Sequence, residues 1–128
     1  MRVLLDTHTL LWVADDSPQL SIAARKALLP QTTERYFSVI SLWEISIKVG
    51  LGKLPLRQPL ESFLDALESN PNLLPLNLAR DHFVRYAALP LHHRDPFDRM
   101  LVAQALSESL TVVGCDEAFD AYGVQRVW

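Results

Sequence analysis

The sequence predicts an α/β fold in which helices cover both faces of a parallel sheet. Short apolar segments, several of them rich in β-branched or aromatic residues, alternate with segments whose apolar residues recur at helical spacing. Most of the eight prolines lie at the edges of these segments. The length of 128 residues is that of one compact domain. We therefore expect a single domain over residues 1–128.

The first third of the chain contains two predicted strands. Residues 2–5 form a short buried strand that ends at Asp6, and an apolar helical pattern follows as far as Ala14. Ser21 is the predicted N-cap of a helix that runs to about Leu29. Residues 35–40 are rich in aromatic and β-branched side chains, which predicts the second strand.

The middle of the chain contains two predicted helices and one strand. The first helix is predicted to open with residues 41–44 and to end near Gly50 or Gly52. Residues 60, 63, 64 and 67 are apolar, and this i, i+3, i+4, i+7 spacing predicts an amphipathic helix. Residues 73–76 form a weak third strand, and Pro75 places that strand at the edge of the sheet.

The last third of the chain continues the alternation. A helix is predicted over residues 79–89, and Asp95-Pro96 begins another that extends beyond Met100. Residues 111–113 form the fourth strand. A short helix is predicted over residues 116–122 with Gly123 as its C-cap, followed by a final strand over residues 124–127.

Four acidic residues follow strands or begin helices at the carboxyl edge of this predicted sheet. Asp6 ends the first strand, and Glu44 lies in the first turn of the helix after the second. Asp98 lies in the first turn of a helix that leads into the fourth strand, and Asp116 follows that strand. The carboxyl edge of an open α/β sheet carries the functional site. We therefore expect the four carboxylates to share one cleft.

Carboxylates that share a cleft repel one another, and a divalent cation would remove the conflict. Magnesium prefers hard oxygen ligands and is commonly held by carboxylates together with the phosphate of a substrate. An ion held in this way can orient water for in-line attack on phosphorus. The acids therefore indicate a divalent-cation site that could act on a phosphate group.

Each acid also has a structural interpretation. Asp6 and Asp116 are suitable N-caps for the helices that follow them. Glu44 could complete a capping box with Ser41 or pair with Lys48 four residues later. Asp95, before Pro96, is a strong N-cap, so we assign Asp95 the structural role and Asp98 the chemical one.

Four sequence blocks resemble the PIN-domain proteins of the VapC toxin type, and the resemblance runs nearly from end to end. The blocks are LLDTH at 4–8 with LW at 11–12, SLWEI at 41–45 with Lys48 and LGKL at 51–54, LPLHHRDPFDR at 89–99 with AQA at 103–105, and DxxFxxYG at 116–123. Their order and spacing make the resemblance specific.

The resemblance implies a PIN-like three-layer sandwich with strand order 3-2-1-4-5, the first and fourth strands being central and adjacent. It implies an endoribonuclease that depends on Mg²⁺ or Mn²⁺. The four acids of the family match Asp6, Glu44, Asp98 and Asp116, which are the expected catalytic and metal-binding residues. It also implies a toxin that forms a homodimer and binds a small antitoxin protein.

One position departs from the family pattern. The family commonly has serine or threonine two residues before the fourth acid, where this chain has Gly114. In the family this hydroxyl helps to orient the site, so its absence affects the expected geometry of Asp116. A hydroxyl is still available at Thr7, beside Asp6. Thr7, Arg94 and Arg99 are the candidate RNA-positioning residues, because arginine binds phosphate through two parallel hydrogen bonds.

Other conspicuous residues are interpreted as structural. His92 and His93 are expected in a loop near the cleft, since their spacing is not that of a closed zinc site. Trp12 and Trp43 are expected to be core or dimer-interface anchors. Cys115 is expected to be a buried small residue, because no histidine is close to it in sequence.

Three other functional classes are compatible with parts of the pattern. A receiver-like signalling domain needs an aspartate at the end of its third strand, and residues 73–77 contain no acid. A phosphatase with an aspartyl nucleophile needs a second acid two residues after the first, where this chain has His8. A PIN domain with a weak or decayed nuclease site could still bind RNA or protein.

Composition indicates a cytoplasmic protein without a membrane segment. No apolar run approaches the length of a bilayer span, no signal peptide is recognisable, and the chain has one cysteine. The formal charge of −3 disfavours a broad basic surface for nucleic acid. If the four acids are set aside as a metal site, however, the remaining formal charge is +1, so the acidity does not exclude RNA as a substrate.

Overall fold

The computed structural model describes residues 1–128 and confirms a parallel five-stranded sheet in the order β3-β2-β1-β4-β5, with helices on both faces. The strands are β1 (Arg2–Leu5), β2 (Glu34–Ser38), β3 (Leu74–Leu76), β4 (Thr111–Val113) and β5 (Arg126–Val127). The α-helices are α1 (Thr7–Ala14), α2 (Ile22–Leu28), α3 (Val39–Gly50), α4 (Leu60–Ser69), α5 (Arg80–Ala88) and α6 (Pro96–Glu108). A short 3₁₀ helix spans Glu117–Tyr122.

The central strand β1 brings distant parts of the chain together. Leu5, its last residue, pairs with Phe37 of β2 on one side and with Val113 of β4 on the other. Val3 and Leu5 pack on one face of the sheet in a core that includes residues of α1–α4, whereas Leu4 packs on the opposite face against α6. A strand buried on both faces needs a continuous apolar run, which residues 3–5 supply.

Helix α3 begins earlier than the sequence predicts. Ser38 is its N-cap, and the Ser38 hydroxyl accepts a hydrogen bond from the backbone N–H of Ile40 at 3.0 Å. The predicted strand over residues 35–40 is therefore wrong in its last two residues, and the capping box between Ser41 and Glu44 is wrong as well. Because the helix starts one turn earlier, Glu44 lies in its second turn.

The remaining boundaries differ only in detail. The last strand, predicted over residues 124–127, covers only Arg126–Val127 in the structure. Val124 precedes it and packs in the core. The predicted short helix after β4 is a 3₁₀ helix, and Gly123 ends it with a φ of 77°, a left-handed conformation that favours glycine. Ser21 and Asp95 are N-caps as predicted. None of the helices combines the length and apolar character needed to cross a bilayer.

Candidate active site

The four predicted acids meet in one cleft at the carboxyl edge of the sheet. Asp6 directly follows β1, Glu44 extends from α3, Asp98 lies in the first turn of α6, and Asp116 precedes the 3₁₀ helix after β4. The cleft has a volume of about 90 Å³ and contains no apolar side chain. Its lining residues are Asp6, Thr7, His8, Glu44, Lys48, Asp95, Asp98 and Asp116.

Asp6 has a structural role and is also available to the cleft. Its Oδ1 accepts a hydrogen bond from the backbone N–H of Thr9 at 2.8 Å and so caps α1. The residue is only 4% exposed, and burial raises the pKa of its carboxyl group. Capping occupies Oδ1, whereas Oδ2 accepts no hydrogen bond, and the residue lines the cleft. The capping and site interpretations of Asp6 are therefore compatible.

Glu44 leaves one buried oxygen without a partner. Lys48 donates a hydrogen bond from Nζ to Glu44 Oε2 at 2.9 Å, which is the i, i+4 pair that the sequence predicts. The other oxygen, Oε1, is buried and has no hydrogen-bond partner. A buried carboxylate oxygen without a partner is costly. A cation in the cleft would satisfy it.

Asp98 and Asp116 lie on the more open side of the cleft and share a histidine. His93 Nε2 is 3.3 Å from Asp98 Oδ2 and 3.5 Å from Asp116 Oδ2. His93 Nδ1 accepts a hydrogen bond from the backbone N–H of Asp95, so a neutral ring carries its hydrogen on Nε2. In this tautomer His93 presents a donor to both carboxylates rather than a metal-binding lone pair.

The sequence predicts His93 in a loop near the cleft but does not predict its contact with two acids. That contact depends on Tyr122, whose hydroxyl accepts hydrogen bonds from the backbone N–H groups of His92 and His93 at 3.1 and 2.8 Å. Tyr122 is distant in sequence, and no local pattern around His93 indicates the pairing. The 3₁₀ helix after Asp116 therefore holds the loop that delivers His93.

Asp98 is the most strongly perturbed acid of the cluster. Burial, followed by the nearby negative charges of Asp95 and Glu44, raises its pKa to about 7. The carboxyl group is therefore partly protonated near neutral pH in the absence of a cation. Together with the orphaned Glu44 Oε1, this indicates that the carboxylate set is suited to a hard divalent cation, which prefers oxygen ligands.

The candidate RNA-positioning residues are not gathered at the cleft. Arg99 is buried, with Nη1 donating to the carbonyl of Pro90 at 2.9 Å and to the Tyr122 hydroxyl at 3.2 Å, and its guanidinium lies over the ring of Tyr86. These contacts favour a structural role for Arg99. Arg94 is exposed and does not line the cleft. Thr7 does line the cleft, and its hydroxyl donates a hydrogen bond to the buried Ser41 Oγ at 2.9 Å.

Gly114 is adapted to the position of Asp6. A Cβ atom at residue 114 would lie 2.3 Å from Asp6 Oδ2 and 2.7 Å from Asp6 Cγ. The absence of a side chain therefore makes room for the Asp6 carboxylate. The neighbouring Cys115 is exposed, so the expectation that it is buried is wrong. Trp43, expected to be an anchor, is 60% exposed and packs edge-on against Phe97.

The pKa of Asp98 predicts how the metal-free protein responds to pH. The folded protein holds this proton up to about pH 7, whereas the unfolded chain releases it near pH 3.8. Ionisation of Asp98 therefore costs folding free energy as the pH rises through this window, and none of that cost is present below it. In EDTA, we expect the ionisation of Asp98 to lower the free energy of unfolding by on the order of 3 kcal/mol between pH 4 and pH 8.

Urea denaturation of the wild type and of Asp98→Asn measures this contribution as a difference. Asparagine cannot ionise, so the variant should gain stability relative to the wild type as the pH rises. Equal pH dependence of the two proteins would contradict the assignment.

Fold and site together define a class of α/β proteins with a carboxylate-lined cleft at the carboxyl edge of a parallel sheet. Residues 3–125 match the profile of the PIN domain family. Because this match covers nearly all of the sequence, the chain belongs to the PIN domain family, as its sequence blocks indicate.

Solved structures with the same fold include several toxin–antitoxin complexes. VapBC2 from Rickettsia felis, bound to a DNA fragment from the promoter, has a TM-score of 0.73 at 19% identity, covering 98% of this chain and 97% of that one. DNA-bound VapBC from Salmonella typhimurium has a TM-score of 0.72 at 19% identity, with 98% and 96% covered. FitAcB from Neisseria gonorrhoeae has a TM-score of 0.64 at 23% identity, again covering 98% and 96%. No curated protein sequence matches this chain.

Proposed function

We propose that this protein is a metal-dependent endoribonuclease and the toxin of a toxin–antitoxin pair. PIN domains are generally nucleases. The observation that supports a nuclease in this chain is the convergence of Asp6, Glu44, Asp98 and Asp116 in one polar cleft. The orphaned Glu44 Oε1 adds to it, because a buried carboxylate oxygen without a partner costs free energy that a bound cation would offset.

The four acids would have different roles according to how deeply they lie in the cleft. Asp6 and Glu44, which are 4% and 6% exposed, would hold Mg²⁺ or Mn²⁺ at the floor of the cleft. Asp98 and Asp116 would complete the set on the open side, with His93 Nε2 fixing their orientation. When bound, the ion supplies activation of water and stabilisation of charge on the phosphate. Hydrolysis would leave a 5′-phosphate and a 3′-hydroxyl.

The proposed partners follow from the structural neighbours. The neighbours are toxin–antitoxin complexes, which supports a small antitoxin protein that covers the cleft. The cytoplasmic location and the homodimer are proposed from the sequence alone, the first from composition and the second from the family resemblance. Inducing the toxin alone should arrest growth, and co-expression of its antitoxin should restore it. Normal growth at full expression would argue against the toxin assignment.

Metal dependence is tested directly on purified protein. We expect cleavage of single-stranded RNA with Mg²⁺ or Mn²⁺, and none in excess EDTA. Cleavage that persists in EDTA would exclude the proposed chemistry. If the protein neither cleaves RNA nor binds Mn²⁺ in isothermal titration, a binding module with a decayed site is the better description.

A further inference from the structure

Lys48 occupies a distinctive place at the edge of the acidic cleft. Of the eight lining residues it is the only lysine or arginine. Its Nζ lies 2.9 Å from Glu44 Oε2, yet the side chain is 40% exposed, so the ammonium group stands between the buried acids and solvent. An ammonium group has three N–H donors, and Glu44 uses one of them.

The charge of the cleft creates a problem for an anionic substrate. Five carboxylates and one ammonium group line it, which gives a formal charge of −4, and a single divalent ion would reduce this only to −2. A phosphodiester chain carries one negative charge per nucleotide and would be repelled. A fixed positive charge at the edge of the cleft would lower this barrier.

Other basic residues are poorly placed for that task. The Arg99 guanidinium is buried against Tyr86, Pro90 and Tyr122, and Arg94 does not line the cleft. Lys48 is therefore the one cation that both touches the carboxylate set and retains free donors facing solvent.

We propose that Lys48 binds a phosphate of the RNA substrate at the edge of the cleft, a role that rests on the proposed nuclease function. Lysine serves as a compact point charge for phosphate. The lysine keeps its contact with Glu44 while its remaining N–H groups donate hydrogen bonds to phosphate oxygens. This role belongs to Lys48 rather than to Arg94 or Arg99.

A purely structural role makes a different prediction. If Lys48 served only to hold Glu44 in place, its removal would loosen a metal ligand and weaken Mn²⁺ binding. If Lys48 binds phosphate, its removal takes away a positive charge near the ion, so Mn²⁺ affinity stays the same or rises. The metal affinity measured without RNA therefore separates the two roles.

The test compares Lys48→Gln and Lys48→Arg with Lys53→Gln, which removes the same charge from an exposed residue outside the cleft. With a fluorogenic RNA, we expect Lys48→Gln to raise KM about tenfold and to lower the salt dependence of log KM by about one. Lys48→Arg should recover most of the affinity, and Lys53→Gln should behave like the wild type. Isothermal titration should show no loss of Mn²⁺ affinity in Lys48→Gln.

An unchanged KM in Lys48→Gln, or a loss of Mn²⁺ affinity that accounts for the change, would overturn the proposal while leaving the nuclease function intact. Absence of cleavage by the wild type would instead refute the nuclease function. In that case RNA binding by the otherwise unaltered protein, measured by fluorescence anisotropy, still decides the role of Lys48. Equal affinity with and without Lys48→Gln would then refute it.

Discussion

Asp98→Asn is expected to abolish RNA cleavage while making the metal-free protein more stable at pH 8. Asparagine has nearly the same shape, but it removes a negative charge from a cluster whose repulsion and burial raise the pKa of Asp98 to about 7. Loss of a metal-binding carboxylate should reduce cleavage by at least about 100-fold, since even groups that only support metal ligands typically contribute 10- to 100-fold.

The combination of lost activity and gained stability excludes misfolding as the cause. Cleavage assays in Mn²⁺ and urea denaturation in EDTA measure the two effects. Asp65→Asn is the matched control, because Asp65 is exposed on α4 and lies outside the cleft. Full activity of Asp98→Asn would show that Asp98 does not contribute to the chemistry.

Gly114→Ala is expected to weaken metal binding through Asp6. The new methyl group would lie 2.3 Å from Asp6 Oδ2, well inside van der Waals contact, so the carboxylate or the strand end must move. A displacement of about 1 Å in such a site costs on the order of 100-fold in activity. Isothermal titration with Mn²⁺ and cleavage assays should show parallel losses.

Gly50→Ala provides the control for this substitution. A Cβ atom at residue 50 would have nothing within 4 Å, so the variant should retain its metal affinity. Gly114→Ser should be at least as harmful as Gly114→Ala, because the serine side chain is larger. Wild-type Mn²⁺ affinity in Gly114→Ala would show that the backbone absorbs the methyl group without moving Asp6.

The order of the sheet could be predicted only through the family resemblance, whereas the placing of the four acids at one edge of the sheet could be predicted from the alternation of strands and helices. Asp6, Asp98 and Asp116 each stand beside a strand end or a proline-marked helix start, and parallel strands bring those points to one edge. The start of α3 could not be predicted reliably. Ser38 and Ser41 lie one helical turn apart, and both can act as an N-cap, while the β-branched residues Val39 and Ile40 favour a strand.

The roles of individual side chains within the site were harder to predict. Arg99 follows Asp98 closely in sequence, yet its guanidinium is directed to Tyr86, Pro90 and Tyr122, contacts that exist only in the folded chain. His93 owes its position to Tyr122, 29 residues away. Such contacts leave no periodic pattern in the sequence.

The pairing of Leu5 with Val113 has a consequence for the synthesis of the protein. The acids at residues 6 and 116 lie at opposite ends of the chain, and their strands become neighbours only when β4 docks against β1. At 5–20 residues per second, a ribosome takes roughly 5–20 s to travel from one acid to the other. A nascent chain that ends before residue 116 therefore lacks one of the four carboxylates, and the complete set of acids forms only late in synthesis.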